Sequence, residues 1–181
     1  MYFPKKGSSN TAATVEAALR VAGERGIRHI VVASVSGKTA FRLAGGDGVQ
    51  VTCVTLAYGF SENGKNTMAE ETRQKLRDKG VTVVTASHAL SGVERGVSKQ
   101  GGGMYPAEIM SETLRMFGHG VKVCVEVAIM ALDAGAIPHG ENVIAVAGSG
   151  SGADTAVFLS PAHANKVFQT RIHEIICKPY L

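Results

Sequence analysis

The chain predicts an α/β domain of three layers, α/β/α, built on a mainly parallel sheet with an antiparallel edge. Three observations carry this. Near-continuous apolar runs at 49–56, 81–86 and 142–147 alternate with helical patterns, as expected of right-handed βαβ units whose strands are buried on both faces. A β-branched run from His29 ends in small polar residues and passes straight into a helical stretch. The segment at 154–159 comes too soon after its predecessor for a crossover helix, so it must be antiparallel or at an edge.

Taken in order, the chain opens with a short segment that reads as a first strand or an arm. Asn10 or Thr11 can cap a helix running to about Arg25, with Val15, Ala18, Leu19 and Ala22 as its apolar stripe and Gly26 as its stop. The strand at 29–34 and a helix at 38–44 come next. After the apolar run 49–56 comes a loop, 57–66, that carries two aromatics, Tyr58 and Phe60. Thr67 and Glu70 have the spacing of a capping box for a helix at 68–79, which Gly80 ends. Residues 87–103, SHALSGVERGVSKQGGG, show no clear period and read as a long loop, mobile or functional. Pro106 starts a helix to about Phe117. In the helix 120–134, His119, Lys122, Glu126 and Asp133 fall within roughly 60° of each other at 100° per residue, and the rest is apolar. That stripe reads first as a narrow solvated face and second as an interface or the wall of a site. So much apolar circumference predicts self-association into a homo-oligomer. Pro161 closes the strand at 154–159, and 167–177 supplies a plausible last one.

Two loops carry chemistry. In the first, Ser34-Val35-Ser36-Gly37 joins a strand to a helix that starts at Lys38. Free N–H groups and the positive end of a helix dipole point at whatever sits above the strand. Ser34, Ser36 and Thr39 add hydroxyls and Lys38 adds charge, so the stretch reads as a phosphate cradle rather than a plain βα turn. It is not a Walker A loop, because the glycine required five residues before Gly37 is Val32. In the second, GSGSGADT comes after the strand at 142–147. Gly148, Gly150 and Ala153 mimic a dinucleotide fingerprint, but the next residues, Thr155 to Leu159, are strand-like where a helix is required, so a Rossmann site is rejected. This leaves a glycine-serine backbone able to approach a phosphate closely. If the strands at 29–34 and 142–147 are neighbours, the two loops form one crevice at a topological switch point.

Composition bounds the rest. At 181 residues, 45% hydrophobic with 22 glycines, the chain suits a single domain, 1–181. The net charge of +4 is scattered among acids with no basic run interleaved with aromatics, which speaks against nucleic acid. Cys53, Cys124 and Cys177 lack CxxC spacing and sit in apolar segments, as reduced core thiols of a cytoplasmic protein would. Charges interrupt the most apolar helix, so no membrane span is expected.

HIVVASVSGKTAFRLA, continued by VTCVT, resembles the first βαβ unit of the C-terminal α/β domain of pyruvate kinase. GSGSGADTAVFL resembles that domain's second effector loop. In effector-activated kinases these loops hold the phosphates of a sugar bisphosphate. The resemblance carries over to Ser34, Ser36, Gly37 and Thr39, and to Gly148, Ser149, Gly150 and Thr155. Lys38 stands where the kinases usually have Arg or another polar residue. SHALSGVERGVS, FGHGVKVCVEVAIMALDAGAIP and IHEIICKP are similar to a small, largely archaeal family of stand-alone versions of the domain, of unassigned activity. Members of that family have been seen with flavin mononucleotide (FMN) in the cleft.

The resemblance thus implies a binding module for a phosphorylated small molecule, with FMN as cofactor, and no pyruvate kinase activity, since the residues of the catalytic barrel are not among these. The expected ligand shell is Ser34, Ser36, Gly37, Lys38, Thr39, Gly150 and Ser151 at the phosphate, with Tyr58 or Phe60 over a ring. A flavin-dependent oxidoreductase, a phosphosugar isomerase or lyase, and a structural subunit are the alternatives. For a reaction, His88, Glu94, His119 and Lys122 are the candidate groups.

Overall fold

The computed structural model describes residues 1–180. These form one seven-stranded sheet, in the order β1-β7-β6-β5-β2-β3-β4, with six α-helices, four of them packed directly on its faces. The strands are β1 Tyr2–Phe3, β2 His29–Ala33, β3 Gln50–Val54, β4 Thr82–Val84, β5 Val143–Ala147, β6 Thr155–Ser160 and β7 Arg171–Pro179. The helices are α1 Thr11–Arg25, α2 Lys38–Leu43, α3 Glu70–Asp78, α4 Gly92–Gly101, α5 Pro106–Arg115 and α6 His119–Asp133. Only β6 runs against the rest: it pairs antiparallel with β5 and β7, while β5, β2, β3 and β4 are mutually parallel and β1 is parallel to β7. The antiparallel segment thus comes directly after β5, as its short connection requires, and β7 and β1 extend the sheet beyond it.

Alternation along the central strands divides the core into two layers. Ile30, Val32, Ile144 and Val146 face α1, α2 and α3, where Ala18, Val21, Leu43 and Leu76 are buried against them. Val31, Val143, Ala145 and Ala147 face the other way, onto Val121, Cys124, Ala128 and Leu132 of α6. Leu114 of α5 packs on that cluster from outside. All three cysteines are buried and unpaired, and burial pushes the Cys53 thiol up to about 12, so they are inert core groups. No helix among the described residues is long and apolar enough to cross a membrane.

Four sequence expectations change. The stretch 87–103 is not a structureless loop. Ten of its residues form α4, although three of those ten are glycines and none is buried. Tertiary bonds outweigh the poor propensity: Glu94 accepts from the N–H groups of Ala107 (2.8 Å) and Glu108 (3.2 Å), and the Ser98 hydroxyl donates to Glu108 (2.8 Å). The capping box at Thr67 and Glu70 does not form. The helix starts at Glu70 behind Ala69, Asn66 Oδ1 accepts from the Met68 N–H, and Glu70 pairs with Arg73 and Arg77. Residues 164–169 are a 3-10 turn, so the last strand begins at Arg171.

The fourth change concerns α6. Its polar stripe is not solvated where it matters: Lys122 and Glu126 are 3% and 5% exposed. Every residue from Val121 to Leu132 except Val123 is buried within the chain itself. The premise that this helix has apolar surface left over for a partner subunit is therefore removed.

Candidate functional site

β2 and β5 lie side by side, with Ile30 opposite Ile144 and Val32 opposite Val146. From β2 the chain moves outward to β3 and β4, and it returns through α6 to β5 on the other side, so the pair forms the switch point of the sheet. Above the carboxyl ends of β2, β3 and β5 opens a cleft of ≈ 880 Å³, a size that suits a small-molecule ligand.

Three helices begin at its rim. Thr11 of α1, Lys38 and Thr39 of α2, and His119 and Lys122 of α6 all line it. At α2 and α6 the first backbone N–H groups have no intrahelical acceptor, whereas the Thr11 N–H of α1 already donates to the Ser8 carbonyl through the short 3-10 turn before it. Ser34, Ser36, Lys38 and Thr39 line the wall, with Gly148, Gly150 and Ser151 from the glycine-serine loop beside them. Among the described residues, none of the side chains of Ser34, Ser36, Lys38, Thr39 or Ser151 has a hydrogen-bond partner, although Ser34 and Thr39 are buried.

The remaining expected residues are placed otherwise. Gly37 is essential to the turn, but not as the bare backbone beneath a ligand. Its φ is +81°, and a Cβ there would come within 2.9 Å of Thr72 Cγ2, so it faces α3. Thr155 is buried against Gly120 of α6, where an added Cβ would meet the threonine hydroxyl at 2.1 Å. Ser149 turns inward to the Asp154 carboxylate. Tyr58 stays outside the cleft, its hydroxyl accepting from Arg73, whose guanidinium lies 5.2 Å from the ring centre. Phe60 is at the rim, 5.0 Å from the His88 ring. Glu94 caps α5 and does not line the cleft.

Residues not anticipated complete the site. Arg42, Arg95 and Arg115 line it, and Lys38, Arg42 and Arg95 are in no ion pair among the described residues. Arg95 sits over the Phe60 ring at 5.9 Å, while Arg115 pairs with Glu112 and donates to His119 Nδ1. That contact leaves His119 Nδ1 as an acceptor, and burial, reinforced by Arg115 and Lys122, holds its pKa below the usual imidazole range. Burial likewise lowers His88, against the attraction of Glu126. Among the described residues the single acid lining the cleft is Glu126, which accepts from Lys122 Nζ and from the Leu90 N–H at 3.0 Å. A cleft with this balance attracts anions.

Behind the glycine-serine loop, fully buried Asp154 fixes its shape. Its carboxylate accepts from the Gly7 N–H (2.8 Å), the Ser149 N–H (3.2 Å) and hydroxyl (3.3 Å), and the Thr155 hydroxyl (2.8 Å). The Ala153 N–H donates to Thr11 Oγ1 at 3.0 Å, so the loop is tied to the start of α1.

Open sheet, switch point and cation-rich cleft together define an α/β domain with a cleft at the strands' carboxyl ends. The chain belongs to the pyruvate kinase alpha/beta domain family, whose model matches residues 12–158. Among solved structures it is similar to pyruvate kinase from Cryptosporidium parvum. One is 14% identical over 78% of this chain and 21% of that one, with a TM-score of 0.38. A second, in complex with ADP, is 14% identical over 85% and 24%, with a TM-score of 0.41. A third is 12% identical over 93% and 23%, with a TM-score of 0.37. The chain spans about a quarter or less of the length of those kinases.

Proposed function

We propose that the cleft binds a phosphorylated small molecule, FMN by resemblance, with its phosphate at the Ser34–Thr39 turn and the start of α1. One observation carries the reading: four hydroxyls and one ammonium without partners among the described residues converge there, in a cleft whose cations outnumber its acids. A phosphate dianion would receive charge-assisted bonds from these groups, each contributing on the order of 1.5–3 kcal/mol. Phe60 and His88 at the rim offer aromatic surface for the ligand's ring.

Titration of FMN fluorescence tests this. Thr39→Val keeps the shape and removes a hydroxyl, and should weaken binding about tenfold. Lys38→Ala removes a charge and should weaken it roughly 10- to 100-fold. Unchanged affinity in both would place the phosphate elsewhere.

Self-association belongs to the same reading on a different face from the one the sequence suggested. Val93 and Val97 of α4, Met104, Ile109 of α5, and Met116 and Phe117 are all exposed, with Val93 at 85%. Apolar side chains in that density on one helical layer are the usual mark of a partner surface.

A further inference from the structure

Lys122 stands out among the charged groups of the molecule. It is 3% exposed on the most buried helix, it lines the cleft, and among the described residues its Nζ has one partner, Glu126, for three donor positions. Glu126 in turn is held by the Leu90 N–H, and His88 lines the same cleft. A pair that served only the packing of α6 would face the sheet or a neighbouring helix. This one faces the cavity, with two N–H positions unspent.

We propose that this end of the cleft captures a carbonyl group: Lys122 Nζ condenses with the aldehyde or ketone of a phosphorylated small molecule to form an imine, beside Glu126. The proposal rests on the phosphate reading above, which supplies the other end of the ligand. Nζ bonds to the carbonyl carbon and the C–O bond breaks. Two of the three ammonium protons leave with the carbonyl oxygen as water, and the third stays on the iminium nitrogen, facing the Glu126 carboxylate. Glu126 relays the first proton, so the amine is free when it attacks. No oxidant or reductant is consumed. An exposed lysine amine is uncharged at pH 7 only about once in 10³. Burial is the largest influence on Lys122 and lowers its pKa, Arg115 and Arg95 lower it further, and Glu126 opposes them. Desolvated lysines near other cations are the ones that form such adducts.

Pyridoxal 5′-phosphate, a phosphorylated aldehyde with a visible imine absorbance, is the probe. The full chain is incubated with it, reduced with borohydride, and its labelled peptides are sequenced. The expected result is one label, on Lys122, formed about tenfold more slowly with 5′-deoxypyridoxal, which lacks the phosphate and cannot close an internal hemiacetal, or with excess inorganic phosphate present. Lys122→Arg keeps the charge and the pairing with Glu126 but cannot form the imine. It should abolish the label with an unchanged melting temperature. A label on Lys38 or on exposed lysines, with Lys122 unmodified, overturns the proposal and leaves the phosphate cradle intact. A label on Lys122 that is equally fast with 5′-deoxypyridoxal and insensitive to phosphate upholds Lys122 as the capturing amine and overturns the phosphate reading instead.

Discussion

Asp154 shows how much of the site depends on a residue that need touch no ligand. Four hydrogen bonds end on its carboxylate in a fully buried position, and two of the donors are backbone N–H groups with no alternative partner in sight. Asp154→Ala should cost about 1–3 kcal/mol in urea unfolding and should loosen the glycine-serine loop, because the buried Thr155 hydroxyl and the half-buried N–H groups of Gly7 and Ser149 lose their acceptor. The two cleft histidines predict a pH dependence. Both have pKa values lowered by burial, so below about 6.5 the unfolded chain takes up protons that the folded one refuses. Stability is therefore present above that pH and lost as pH falls through it toward the folded values. His119→Gln should flatten the acid-side loss in a series of denaturation curves from pH 7.5 to 5. The sequence showed that Lys122 and Glu126 share a stripe, but a stripe facing water and a stripe facing a cavity have the same period. Which one applies is decided by the packing of α6 between the sheet and α5, and no local signal reports that.

At the scale of elements, the strands were the most legible features. Ile30 to Val32 and Val143 to Val146 are apolar without alternation because both faces are covered, and the stop at Gly26 works through a left-handed φ of +64°. The adjacency of β2 and β5 was the condition on which the two polar loops would share a crevice, and the sheet meets it. Helix α4 was illegible because its support is tertiary: its poor intrinsic propensity is overridden by Glu94 and Ser98 reaching α5. Gly37 carries a prediction of its own. Gly37→Val forces a side chain into a left-handed turn and against Thr72, so it should lower stability by about 1–3 kcal/mol or more through the α2–α3 contact. Thermal unfolding detects that loss, and it makes Thr39→Val the cleaner probe of ligand binding.

For the whole molecule, the cleft is cationic through side chains far apart in sequence: Lys38 and Arg42 from one face of the sheet, Arg95 and Arg115 from the other. Their scatter along the chain hid the field that the fold concentrates. The apolar exposure of α4 and α5 predicts that light scattering at micromolar concentration reports a mass above 18.9 kDa. Replacing Val93 and Phe117 with polar residues should then return the monomer. The phosphate site at the carboxyl ends of β2 and β5 is a proposal about the whole fold. Comparing FMN with riboflavin on the wild-type chain tests it most directly, because the two ligands differ only in the phosphate. FMN should bind about 100-fold tighter or more, and the gap should collapse in Lys38→Ala combined with Thr39→Val. Equal affinities, or a gap untouched by those substitutions, would contradict it.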